Sequence, residues 1–179
     1  DIFPMTQAGV EDGNKIFGAA ILRKSDLSLV VAGTNSEIKN PLFHGEMSTL
    51  FSFYELAESK RPTTKNCIFL STHEPCSLCL SAITWAGFDN FYYFFGYQDT
   101  RDAFNIPHDL KILNEVFKIY DGAYARRNNF WHSYDIIAMA AKIKGVEKEK
   151  INQQVCLIKR AYSELSAAYQ AGKQNNTIP

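Results

Sequence analysis

A chain of 179 residues, 46% of them hydrophobic, is long enough to bury one good core and lies within the usual span of a single domain. Lysine plus arginine equals aspartate plus glutamate at 19 each, so no global field of either sign draws the protein to nucleic acid or to an anionic membrane. The longest aromatic run, FYYFFGY from Phe91 to Tyr97, is far too short to span a bilayer, and four cysteines without a secretion signal favour free thiols or metal ligands over a disulfide framework.

The N-terminal stretch DIFPMTQAGVEDG lacks the basic and apolar regions of a signal peptide, and the expectation is a soluble, cytoplasmic protein. The start at Asp1, without a methionine, is read as the loss of an N-terminal piece. Two apolar runs follow, Phe17 to Leu22 and Leu27 to Ala32, and the polar RKSD between them predicts a β-hairpin. Gly33 and Asn35 mark a loop that runs to Leu42. From Gly45, the stretch GEMSTLFSFYELAESK has no internal proline and spaces Met47, Leu50, Phe51, Tyr54 and Leu56 or Ala57 near a period of 3.6, which predicts a helix buried on that face. CIFLST reads as a short buried strand, CSLCLSAITWAG as a helix ending at Gly87, and FYYFFGY as another strand. This alternation predicts an α/β layered fold.

Beyond Pro107, HDLKILNEVFKIY reads as helical, and AYARRNNFWHSYDI as aromatic-rich and irregular. The tail spaces Ile151, Val155, Ile158, Tyr162, Leu165 and Tyr169 by fours and threes, an amphipathic helix whose stripe needs a partner in its own domain or in a second subunit. AGKQNNTIP closes the chain as a polar, frayed end.

Two thiols, Cys76 and Cys79, stand three residues apart directly after Pro75. Alone, such a pair fits a redox couple, half of a metal site or a helix start equally well. The discriminating partner is HGE, His44 to Glu46, at the start of the helix before the strand that leads into Cys76. In a layered fold, two helix N-termini beside one strand end can bring His44, Cys76 and Cys79 to a point. One nitrogen and two sulfurs suit zinc, which leaves its fourth position to water when a site is catalytic. Glu46, in the first helical turn, is placed to take a proton from such a water and pass it on.

HxE followed by PCxxC resembles the cytidine and nucleobase deaminase superfamily, whose signature it matches as HGE at 44–46 and PCSLC at 75–79. The resemblance extends over most of Phe17 to Asp109. It implies a three-layer α/β/α sandwich, with helices on both faces of a central mixed sheet, and one Zn2+ per chain held by His44, Cys76 and Cys79. Glu46 would be the general acid/base of a hydrolytic deamination that releases ammonia, with zinc-bound hydroxide as the nucleophile. HGEMSTL is similar to fungal cytosine deaminases, whereas EPCSLCLSAITWAG looks more like the bacterial guanine deaminases and the tRNA adenosine deaminases. TRDAFNIPHDLKILNEV resembles the guanine deaminase stretch that supplies a base-contacting aspartate, here Asp109, and Asn35 resembles the family's base-contacting asparagine. The implied substrate is a small-molecule base or nucleoside, a purine such as guanine first and cytosine or cytidine second. An editing deaminase acting on tRNA or DNA and a catalytically silent zinc-binding subunit are the other readings; nucleic acid and membrane partners are not expected, and a homodimer is. The expected division is a deaminase domain over 1–135 and a C-terminal helical extension over 136–179, packed on that domain or on a partner subunit.

Around this core, Phe43 is the first candidate for a ring-stacking wall over a planar base, ahead of Trp131 and of Trp85, which reads as core. His73 is read as lining the pocket. Cys67 and Cys156 are read as core thiols, Glu74 as a carboxylate bonded to backbone amides, and Arg126 and Arg127 as solvated surface.

Overall fold

The two apolar runs after Lys15 do pair. In the computed structural model, which describes residues 1–173, β1 (Gly18–Arg23) and β2 (Leu29–Thr34) form an antiparallel hairpin with Gly18 opposite Thr34 and Ile21 opposite Val31. At the turn, Asp26 Oδ1 accepts from the Ser28 amide and hydroxyl, and Leu27 takes a left-handed φ of 59°. β1 lies on its other side against β3 (Cys67–His73), again antiparallel. β4 (Asn90–Phe95) and β5 (His132–Asp135) then add in parallel, giving one mixed five-stranded sheet in the order β2-β1-β3-β4-β5.

Helices cover both faces, because the central strands carry apolar residues on both. On one face α2 (Gly45–Glu55) and α3 (Ser77–Trp85) pack Leu50, Phe53 and Ile83 on Ala19, Ile21, Phe69 and Phe91. On the other, α1 (Ile2–Glu11) and α7 (Val146–Gly172) pack Val10, Tyr162, Leu165 and Tyr169 with Phe94, Phe95 and Phe104. The short helices α4 (Tyr97–Asp102) and α6 (Ile136–Ala140), with α5 (His108–Phe117), fill the connections. The result is the three-layer α/β/α sandwich. Among the described residues no helix is long and apolar enough to cross a membrane.

Several local expectations need correction. The buried face of α2 is Gly45, Glu46, Thr49, Leu50 and Phe53, not the stripe through Phe51 and Tyr54, which are 53% and 48% exposed. Small residues on the inner side let the helix approach the hairpin closely, and the large rings are turned outward. Trp85 is 91% exposed rather than core, and Cys156 is exposed on α7, whereas Cys67 is fully buried. Trp131 belongs to the core and donates its indole N–H to Thr84 Oγ1 at 2.7 Å. The segment read as irregular contains β5, and α1 was not anticipated. The stripe of α7 finds its partner within the chain at Tyr162, Leu165 and Tyr169, while Ile158 nearer its start stays 37% exposed. The frayed end expected for AGKQNNTIP lies, from residue 174 onward, outside the described residues.

The closest backbone approach sets the position of α2. A Cβ on Gly45 would stand 2.8 Å from Gly18 Cα and 2.9 Å from Gly18 N and Phe17 O. All three are backbone atoms of the sheet, which do not yield as a side chain would. Gly45→Ala is therefore expected to cost about 1–3 kcal/mol from overpacking, read as a lower urea midpoint with an unchanged slope.

Candidate metal centre

The α2–β1 contact delivers its residues to one end of the sheet. His44 is the N-cap of α2, in an extended conformation, and Glu46 sits in the first turn. Asn35, at the end of β2, accepts the Gly45 amide on Oδ1 and so anchors that turn. Pro75 halts the chain after β3, Cys76 becomes the N-cap of α3, and Cys79 falls on its first turn. Two helix N-termini thus face one point, and their partial positive charge favours anionic groups there.

At that point His44 Nδ1 lies 3.4 Å from Cys76 Sγ and 3.7 Å from Cys79 Sγ, and the sulfurs are 3.6 Å apart. A tetrahedral zinc with ordinary bond lengths separates two sulfurs by about 3.8 Å and a nitrogen from a sulfur by about 3.6 Å. The three side chains therefore fit the ion without rearrangement. Among the described residues this is the one group of three or more histidine, cysteine or carboxylate side chains gathered closely enough to hold a metal. The Cys76 thiol is held well below its usual pKa, first by its hydrogen bond with Cys79 and then by His44, while burial pushes Cys79 up.

Glu46 is buried beside the cluster, with Oε1 accepting from Ser71 Oγ at 2.7 Å and Oε2 from the Cys79 thiol at 3.3 Å. Burial raises its pKa and Ser71 pulls it back. The cleft over the cluster is lined by Phe17, His44, Glu46, His73, Glu74, Cys76 and Asp109 and has a volume of about 10 Å³, room for roughly one water. Burial, with the Cys76 charge second, raises half-buried Asp109 to about 8. His73 is held between Phe17 and Phe95 with Nδ1 2.9 Å from Thr72 Oγ1, and burial pushes it down to about 3, so the ring is neutral.

Of the residues singled out in the sequence, His44, Glu46, His73, Cys76 and Asp109 meet at this cleft, and Cys79 lies directly beneath it. Asn35 and Phe43 do not line it. Both ends of the Asn35 amide are engaged, by Gly45 and by Glu37, and Phe43 packs edge-on against Phe51 at 5.3 Å. Glu74 accepts the Tyr97 amide, as read, but also binds the Tyr124 hydroxyl and Arg126. Arg126 is accordingly no plain surface residue; it pairs with that buried carboxylate and lies over the Tyr93 and Tyr124 rings. Sequence reasoning missed Ser71, Lys15 and Glu37. The one available signal was polarity in an unexpected place: Ser71 directly follows the apolar run Cys67 to Leu70, and Lys15 abuts an apolar run.

A sequence model of the family described as the cytidine and deoxycytidylate deaminase zinc-binding region matches residues 4–95, just over half of the chain. Among solved structures, the guanine deaminase from Nitrosomonas europaea has a TM-score of 0.53 at 17% identity, covering 91% of this chain and 81% of its own. A point variant of NE0047 in complex with 8-azaguanine has a TM-score of 0.55 at 15% identity, covering 93% and 80%. At these identities the likeness is one of fold. No curated protein sequence matches the chain significantly.

Metal analysis of protein produced with zinc in the medium is expected to give one equivalent per chain. Cys76→Ala should lose most of it, whereas Cys67→Ala, on a thiol remote from the cluster, should keep it.

Proposed function

The chain belongs to the cytidine and deoxycytidylate deaminase zinc-binding family, and from that premise we propose that it is a zinc-dependent hydrolase that removes the amino group of a free nucleobase or nucleoside, with a purine such as guanine in first place. The observation that carries this reading is the agreement of the three separations among His44 Nδ1, Cys76 Sγ and Cys79 Sγ with a tetrahedral zinc, beside a buried carboxylate. Bound there, zinc would supply a Lewis acid and a water ionising near neutral pH.

The chain's own residues do the rest. Ser71 holds Glu46 by Oε1, so that Oε2 is the oxygen left to move a proton. It takes one from the attacking water and returns it to the departing amine, so that amine and water become carbonyl and ammonia. Burial, by raising the Glu46 pKa, brings the carboxyl nearer the range in which it can both accept and donate.

Recognition of the base falls to Asp109 and His73, which line the cleft, with Phe17 as its apolar wall. Asn35 serves instead to anchor Gly45. The lean to a purine rests on the EPC tripeptide and on Asp109, and a guanine deaminase is among the proteins of this fold. A cleft of about 10 Å³ does not admit a base as it stands, so binding requires its walls to move apart. Residues 1–135 are read as the deaminase domain and 136–179 as a C-terminal helical extension, of which α7 packs on the second face of the sheet.

The test is ammonia release from a panel of free bases, nucleosides and nucleotides by zinc-loaded protein. Release from one ring system, reduced about 10²–10⁴-fold in a zinc-loaded Glu46→Ala variant, is the expected result. Silence of the zinc-loaded wild type across the panel, or full activity of Glu46→Ala, would overturn the proposal.

A further inference from the structure

The loop between β2 and α2 buries a charge that the proposed reaction does not use. Glu37 is 5% exposed, and both of its oxygens are engaged: Oε1 receives Lys15 Nζ at 3.0 Å and Oε2 receives Asn35 Nδ2 at 2.6 Å. Lys15 is itself 5% exposed. An ion pair this deep gives little stability, since the cost of desolvating two charges offsets most of their attraction, and an apolar pair of similar volume would do as well. Stability therefore gives no reason for it.

Its position does. Glu37 Oε1 lies 3.7 Å from His44 Nε2, on the side of the imidazole away from the thiols, which face Nδ1. A histidine that gives the lone pair of one ring nitrogen to a metal must carry its proton on the other, and an acceptor at that second nitrogen fixes the tautomer, holds the ring plane and makes the ligand more basic. We propose that Glu37 is the positioning residue for His44: it holds the ring with its proton on Nε2 and its lone pair at Nδ1 directed at the space between Cys76 and Cys79. Lys15 and Asn35 in turn hold Glu37. The 3.7 Å separation is that of an ion pair. Asn35 then ties both halves of the ligand turn together, since its oxygen anchors the Gly45 amide and its nitrogen anchors Glu37.

This inference rests on the reading of the cluster as a zinc site, and its test separates the two. Zinc affinity is measured by competition with a chromophoric chelator for the wild type, Glu37→Gln, and the charge-balanced double variant Lys15→Met/Glu37→Gln, which leaves no buried charge unpaired. Both variants are expected to bind zinc about 10–100-fold more weakly than the wild type, the usual cost of losing such an outer partner. In parallel, proton–nitrogen correlation spectra of the imidazoles should place the His44 proton on Nε2 in the wild type and show a mixture of tautomers in the double variant. If the double variant regains wild-type affinity, Glu37 serves only to neutralise Lys15 and the inference fails. Unchanged affinity in Glu37→Gln overturns it as well. A wild type that holds no zinc overturns instead the zinc reading beneath it.

Discussion

The contact on which the rest depends has no side chain in it. Gly45 rests on Gly18 and Phe17 so closely that a methyl group there would stand 2.8–2.9 Å from sheet backbone. About one helical turn further along α2, the same approach recurs at Gly33, where an added Cβ would meet Thr49 Oγ1 at 2.7 Å. Thr49 in turn donates to the Gly45 carbonyl and packs over β1 and β2. These contacts press the first turn of α2 onto the hairpin. Because His44 and Glu46 flank the glycine, their positions follow from the hairpin's own backbone. The middle residue of HGE is thus a packing requirement, and the two chemical residues beside it inherit its precision.

How much of this was legible in the sequence depended on whether the information was local. The hairpin, β3, α3 and β4 are written in contiguous apolar runs with turn residues between them. The cluster of His44, Cys76 and Cys79 was legible because HGE and PCSLC each carry their chemistry within a few residues and because both fall at predicted helix starts. The face of α2 was misjudged for a physical reason. Periodicity weighs large apolar side chains most, and it selected Phe51 and Tyr54, but a helix pressed onto backbone needs glycine and threonine inward and sends its rings outward. β5 escaped because four residues, HSYD, preceded by two aromatics, become a strand only by pairing with β4. Cys156 and Trp85 sit in apolar surroundings in the sequence and on open helix faces in the structure. Lys15 and Glu37 were least legible of all. Their pairing spans 22 positions, and neither residue type suggests burial.

Three buried glutamates surround the cluster, and their hydrogen bonds divide them more sharply than their proximity does. Glu74 spends Oε1 on Tyr124 and Arg126 and Oε2 on the Tyr97 amide, so it ties the turn before Cys76 to α4 and to the segment leading into β5. Glu37 spends one oxygen on Lys15 and the other on Asn35. Each oxygen of these two carboxylates already accepts from a donor that keeps its proton when a metal binds nearby. Glu46 differs. Ser71 occupies Oε1, and the contact at Oε2 is a cysteine thiol, a weak donor whose proton is lost whenever the sulfur binds a metal. Loading the site would therefore free Oε2 to accept a proton. The same exchange leaves Glu74 untouched, because its partners are a guanidinium, an amide and a phenol, none of which a zinc ion displaces. Of the three, Glu46 alone has a partner whose proton is lost when the cluster is occupied, and that difference supports its assignment as the proton carrier in the proposed reaction.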